Sequence, residues 1–326
     1  MTDPTVPWAL DPEVASILEY LPESDLSDVH AARAQMDALI AMFAAGADTS
    51  AIEVVDHVAP GSGDQPDVPV RVYTPLGDVP EGGHAAICYL HGGGFVMGSV
   101  ETEHLSAAQV ATELGAAVVS VDYRLAPEHP FPAPPEDCYH ALRWMHAEAE
   151  ALRIDPDRIA VMGSSAGGGL AAAVALMARD RGGPALCFQF LGFPELDDRL
   201  DTPSMRTFVD TPLWRRPSAE WSWRYYLGDD GPPEGAIRED VSPYAAPARA
   251  TDLAGLPPAY ISAQEFDPLR DEALVYAMRL LEAGVSVELH HFPGTYHGSV
   301  AASFAEVSKR QLREQYDVLR RRLGLA

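Results

Sequence analysis

Three side chains in this sequence have the types that acyl transfer requires: the hydroxyl of Ser165, the imidazole of His297 and the carboxylate of Asp267. A serine hydroxyl is a weak nucleophile until a base removes its proton, and imidazole suits that task near neutrality. The base in turn needs an acceptor that fixes its tautomer. Ser165 lies in Gly163-Ser164-Ser165-Ala166-Gly167. Such a pattern is short, and taken alone it describes an ordinary glycine-rich turn as well as a nucleophile turn, so its partners must decide. His91-Gly92-Gly93-Gly94-Phe95 supplies glycines whose backbone amides can point into a cleft without side-chain obstruction. The amides of Gly93 and Gly94, with that of Ala166, are the expected donors to an oxyanion, and Gly92 shapes the turn. No Lys-Ser or Lys-Thr pair follows, which argues against a phosphate cradle. Eleven histidines compete for the role of base. His290 and His291 fall inside an apolar strand pattern and read as structural, whereas His297 follows the turn Pro293-Gly294-Thr295. Asp267 precedes Pro268, which suits a first helical turn, so Asp267 reads either as a helix cap or as the catalytic acid.

Those residues need elements to hold them. Residues 159–162 form an apolar run that reads as a buried strand, and 166–179, with Leu170, Val174 and Met177 on one face, reads as the helix after it. Ser165 then sits at the bend, above a helix N-terminus that favours developing negative charge. Residues 85–90, 116–121, 188–191, 259–262 and 287–292 are further strands, and 102–114, 134–149 and 268–283 are helices between them. The alternation predicts an α/β fold with a mostly parallel central sheet flanked by helices. Residues 52–58 and 70–74, joined by the turn-rich 60–69, read as a hairpin or neighbouring edge strands. Ahead of them, 12–46 carries two helical patterns: Val14, Ile17, Leu18 and Leu21, then Met36, Leu39, Ile40 and Phe43, closing at Gly46. From 194 to 258 no strand signal appears, and that interval is too long for a plain connection. It reads as an inserted helical cap, joined by the N-terminal helices. The expected organisation is 1–50 as cap helices, 51–193 and 259–326 as the catalytic domain, and 194–258 as the inserted cap segment. Phe95, Phe208, Trp214, Trp221 and Tyr225 are candidates to line a pocket, although large aromatics in such a segment serve mostly to pack it. Trp221 and Tyr225, four apart, should share a helix face.

The order Ser165, Asp267, His297, each past a different strand, is the α/β-hydrolase order, and it favours the catalytic reading of Asp267 over the cap. Five ordered motifs extend the likeness: His91-Gly-Gly-Gly94, Tyr123-Arg-Leu-Ala-Pro-Glu128, Gly163-Ser-Ser-Ala-Gly-Gly168, Asp267-Pro-Leu-Arg-Asp-Glu272 and Pro293-Gly-Thr-Tyr-His-Gly298. Together they resemble the hormone-sensitive-lipase family of carboxylesterases, bacterial family IV, over nearly the whole chain. The resemblance implies an α/β-hydrolase fold with a helical cap, Ser165 as nucleophile, His297 as base, Asp267 as orienting acid, and Gly92, Gly93, Gly94 and Ala166 around the oxyanion. It implies no cofactor and no metal. Stretches 190–199, 208–214 and 244–253 are similar to a bacterial hydrolase of acetylated alkaloids, which implies short, acetyl-like acyl groups. Two departures bear on the support of the His297 loop: Ser164 stands where many relatives have aspartate, and Ser299 where an aromatic commonly follows. Arg124 and Glu128 are expected to tie loops together rather than touch substrate.

Composition narrows the remaining classes. The chain has 326 residues and a formal charge of −25, so nucleic acid and anionic membrane surfaces are unfavourable partners. A small-molecule ester is the expected partner, with homo-oligomerisation left open. Lysine occurs once, at Lys309, which a GC-rich genome explains more simply than adaptation to salt. The start Met1-Thr2-Asp3-Pro4 has no basic n-region or apolar h-region, and the expectation is a cytoplasmic protein. Cys88, Cys138 and Cys187 are odd in number and widely spaced, which suggests reduced thiols. Two other functions use the same scaffold: amide hydrolysis or acyl transfer by the same triad, and a non-catalytic ligand receptor. The presence of His297 weighs against the receptor.

Overall fold

The computed structural model describes residues 8–21, 25–43, 48–63, 65–229 and 238–325. Eight strands form one sheet: β1 (Ile52–Ala59), β2 (Val68–Pro75), β3 (His84–Leu90), β4 (Ala117–Val121), β5 (Ile154–Ser164), β6 (Phe188–Gly192), β7 (Ala259–Phe266) and β8 (Val287–Tyr296). Their order is β1-β2-β4-β3-β5-β6-β7-β8, with β1, β2 and β4 paired antiparallel and β4 through β8 parallel. β3, β4 and β6 are buried along their whole length, as continuous apolar runs in a covered parallel sheet must be. β1 is buried only at its ends, Ile52 and Ala59, and half-buried or exposed between them, as a strand at the edge of the sheet can be.

Helices cover both faces. α3 (His104–Leu114) and α9 (Glu306–Leu323) pack on one face around Ile87, Val118 and Phe188. α4 (Ala133–Ala147), α5 (Ala166–Asp180) and α8 (Arg270–Glu282) pack on the other around Cys88, Val119 and Val161. The chain leaves β3 toward β4 on one side and returns to β5 on the other. This reversal opens a crevice at the carboxyl ends of β3 and β5, the place where such sheets receive ligands.

Outside the sheet lie α1 (Pro12–Ala15), α2 (Val29–Phe43), α6 (Pro203–Thr207) and α7 (Arg216–Tyr226). Among the described residues of 194–258 there is no strand. Leu26, Val29 and Ala32 of the N-terminal region share one apolar cluster with Val96, Met97, Met205, Trp214, Ala219 and Tyr225. The first N-terminal pattern departs from expectation, since only Pro12–Ala15 is α-helical and Leu18–Tyr20 forms a single 3-10 turn. A helix this short cannot offset its nucleation cost, and Pro22 disfavours helical backbone at Leu21. The end of the second pattern at Gly46, and the side chains of Leu39, Ile40 and Phe43, fall outside what the structure describes. Cys88 and Cys138 are buried free thiols and Cys187 is half-buried and also free.

Candidate active site

The turn from β5 into α5 places Ser165 at φ 57° and ψ −127°, a conformation rare for a residue with a side chain. Strand and helix meet there so closely that a Cβ on Gly163 would lie 2.2 Å from the Gly167 carbonyl oxygen. One on Gly167 would lie 2.2 Å from the carbonyl oxygen of Leu90. Only glycine fits at either place. Ser165 is held through its backbone, its N–H donating to Gly192 O at 2.8 Å.

β7 and β8 explain how the other two groups meet. Both strands run further than their apolar cores suggest, and after a register shift Phe266 pairs with Tyr296. Asp267 and His297 are the next residues of each strand, so adjacent strand ends set them side by side. His297 Nδ1 lies 2.7 Å from Asp267 Oδ2, and Nε2 lies 2.9 Å from Ser165 Oγ. A carboxylate only accepts, so Nδ1 carries the proton and donates, leaving Nε2 to accept from the serine hydroxyl. Asp267 is fully buried, and its other oxygen accepts the Leu269 N–H at 2.9 Å. Ser165 and His297 are each 7% exposed, so both keep a small surface open at the crevice.

The glycine turn follows β3 and faces the same crevice. Leu90 pairs with Gly163, which sets His91 and the glycines beside the serine turn. Among the described residues, the N–H groups of Gly93, Gly94 and Ala166 donate to no backbone carbonyl, which leaves them available to a developing oxyanion. Gly93 and Gly94 have φ of 112° and 59°, and a Cβ on Gly94 would come within 2.6 Å of Trp214 Cη2. Gly92 lies against Ser165 and Ser164, where it shapes the turn.

His91 secures this turn from below. It is fully buried, and burial lowers its imidazole to about 4, so it is neutral and donates Nδ1–H to Gly92 O at 2.8 Å. Tyr123 stacks on its ring at 4.0 Å and donates its hydroxyl to His91 O at 2.9 Å. Arg124 and Glu128 of the same motif do anchor their loop, but to helices α4 and α2 rather than to another loop. Arg124 forms a bidentate pair with buried Asp137, and Glu128 pairs with Arg33 of α2, which also donates to Val96 O and Ala126 O.

Of the five aromatic candidates, the structure brings Trp214 into ring contact with His297, at 5.6 Å between centroids. Phe208 packs between Trp8 and Phe266 with the Arg270 guanidinium over its face. Phe95 is 1% exposed and stacked on Tyr226 at 4.0 Å, which places it in the main core. Trp221 and Tyr225 do share a helix face and stack on each other at 5.3 Å, and they face the N-terminal segment, where the Tyr225 hydroxyl donates to Ser27 O. One face of each ring is taken by the other, and Trp221 is half-buried. His290 and His291 are likewise outside the site, His290 being held by Glu314 of α9. Nothing in the residue type of Phe193 marks it in the sequence, yet its ring meets His297 edge-on at 5.1 Å. Its signal is positional: it is the first residue past β6, on the edge where the triad lies. Ser164 abuts Gly192, and the loop after His297 is held through Ser308 of α9, whose hydroxyl donates to Ser299 O. Among the described residues no cluster of side chains could hold a metal ion, and no helix is long and apolar enough to cross a membrane.

Several known proteins are similar to this chain. A family model described as alpha/beta hydrolase fold matches residues 87–301. The carboxylesterase NlhH of Mycobacterium tuberculosis is 44% identical over 235 residues, 72% of each chain. An ethyl acetate hydrolase of Pseudomonas putida is 33% identical, covering 89% of this chain and 91% of its own. The structure of a bacterial heroin esterase superposes with a TM-score of 0.92 at 53% identity, covering 97% of this chain and 98% of that one. By these relatives the chain is a carboxylesterase. The chain belongs to the alpha/beta-hydrolase-fold family, in its hormone-sensitive-lipase group.

Proposed function

We propose that the protein cleaves esters of short acyl groups, acetyl esters foremost, through an acyl-enzyme on Ser165. His297 Nε2 takes the Ser165 proton as Oγ bonds to the ester carbonyl carbon, and the carbonyl oxygen becomes an oxyanion held by Gly93, Gly94 and Ala166 N–H groups. The C–O bond to the alcohol then breaks and the alcohol oxygen takes the proton from His297; water next gives a proton to His297 as its oxygen bonds to the acyl carbon, the bond to Oγ breaks, and Oγ recovers that proton as the acid leaves. Asp267 keeps the imidazole in the required tautomer throughout. Residues 1–50 and 194–258 act as the cap, with 51–193 and 259–326 as the catalytic domain. The observation that carries the reading is the unbroken line Ser165 Oγ, His297, Asp267 at 2.9 and 2.7 Å. The short acyl preference draws support from the Phe193 and Trp214 rings set against His297, which leave less room beside the base, and from similarity to an ethyl acetate hydrolase and a heroin esterase.

A p-nitrophenyl ester series tests this. Acetate should exceed octanoate by about tenfold or more in kcat/KM, since each methylene that does not fit a closed pocket is costly. Ser165→Ala should abolish turnover while the fold persists. Octanoate matching acetate would refute the acyl preference, and turnover by the alanine variant would move the nucleophile elsewhere.

A further inference from the structure

Glu195 is a fully buried carboxyl group one turn of chain beyond β6, and the reaction as described does not use it. It touches both halves of the site. Its backbone N–H donates to Ser165 O at 3.0 Å, on the nucleophile turn. Its side chain reaches the glycine turn through Ser222 of α7, whose Oγ lies 3.1 Å from Glu195 Oε1 and 2.9 Å from Gly94 O.

A serine hydroxyl has one proton to give. A carbonyl oxygen can only accept, so the contact with Gly94 requires that proton. The contact with Glu195 Oε1 then needs a proton from Glu195 itself. An ionised Glu195 would draw the Ser222 proton away and leave the Gly94 carbonyl without it. The surroundings disfavour that charge: Glu195 Oε2 has no hydrogen-bond partner among the described residues, and a buried carboxylate needs several donors. The titratable groups that face it are Asp267 past β7, Glu272 on α8 and Tyr226 on α7, none of them cationic.

We propose that Glu195 is a positioning residue for the oxyanion site: as the neutral acid it donates to Ser222, Ser222 donates to Gly94 O, and this relay fixes the loop that presents the Gly94 N–H to the reacting carbonyl. The proposal rests on the hydrolase reading above. Gly94 has no other side-chain anchor among the described residues, and Trp214 presses on its outer side, so a released carbonyl would let the peptide turn. Misaiming one oxyanion donor is enough to lower kcat by one or two orders of magnitude, roughly, without changing ground-state binding. Burial raises the Glu195 carboxyl to about 8, the charge of Asp267 adds to the rise and Ser222 opposes it. The relay therefore holds at neutral pH and is lost in alkali.

Glu195→Gln, Glu195→Leu and Ser222→Ala separate this role from mere packing. The leucine variant should lose about tenfold or more in kcat with KM little changed. Glutamine, whose amide N–H donates without titrating, should rescue most of that loss. Wild-type kcat should fall as pH rises through about 8, and that fall should vanish in Glu195→Gln and Ser222→Ala. Stability gives a second readout. The folded chain keeps a proton that the unfolded chain releases at ordinary carboxylate pH, so stability should decline from there to about pH 8, and glutamine should flatten that decline. Ser222→Ala, which removes a single oxygen atom, carries the kinetic test if the leucine variant does not fold. A glutamine variant as impaired as leucine, or an alkaline fall unchanged in it, overturns the proposal. Wild-type turnover and its loss in Ser165→Ala are scored separately, so variants that match wild type overturn the relay alone.

Discussion

Asp267 uses both of its carboxylate oxygens, one on the Leu269 N–H at the entrance to α8 and one on His297 Nδ1. In the sequence a helix cap and a catalytic acid are rival explanations of this residue, and although Leu269 rather than Asp267 stands at the N-cap of α8, Asp267 does bond the backbone of that turn. The geometry makes them one arrangement, because the turn bond holds the carboxylate still for the imidazole. Asp267→Asn preserves an oxygen for Leu269 but offers an amide N–H toward Nδ1, which favours the wrong tautomer. Its kcat should fall about 10³- to 10⁴-fold with little change in thermal midpoint. A loss of less than tenfold would contradict the assigned role. Ser165, His297 and Asp267 were legible because the chemistry admits few residue types and the chain order is restrictive. Phe193 and Glu195 were not, since a phenyl ring and a carboxyl among residues 190–200 have many structural uses. Their meaning comes from His297, Ser222 and Gly94, which lie far away in the sequence.

At the scale of elements, the site depends on how strands end. β5 stops in a turn that no bulkier residue permits, and β7 and β8 carry Asp267 and His297 to one level by pairing Phe266 with Tyr296. Gly167→Ala would drive a Cβ to 2.2 Å from Leu90 O, a clash with backbone that no side-chain rotation relieves. It should cost about 3 kcal/mol or more of stability, read from denaturant midpoints, and activity should fall with it. An unchanged midpoint would contradict the closeness of β3 and α5. The strand cores and their helices were readable from apolar runs and 3.6-residue spacing. The extension of β8 through Pro293-Gly294-Thr295 was not, because those residues signal a turn and the strand instead passes them by a register irregularity. Likewise, four apolar residues at helical spacing after Pro12 promised more helix than a single turn could sustain.

Over the whole molecule, parallel strands β3, β5, β7 and β8 end at one edge of the sheet and each delivers one component there: amide donors, nucleophile, acid and base. Strand-helix alternation announced a parallel sheet and so this common edge. It did not announce the strand order, which depends on which side of β3 each crossover takes. The charge of −25 also belongs to this scale, and it makes neutral or cationic esters more favourable visitors to the crevice than anionic ones. Since the triad exists only when distant segments meet, the reactivity of Ser165 is a property of the folded chain. Labelling with a fluorophosphonate, followed by peptide mass mapping, tests that claim. We expect one adduct, on the peptide carrying Ser165, absent from Ser165→Ala and from the chain unfolded in denaturant. An adduct on another residue, or undiminished labelling of Ser165→Ala, would contradict the account.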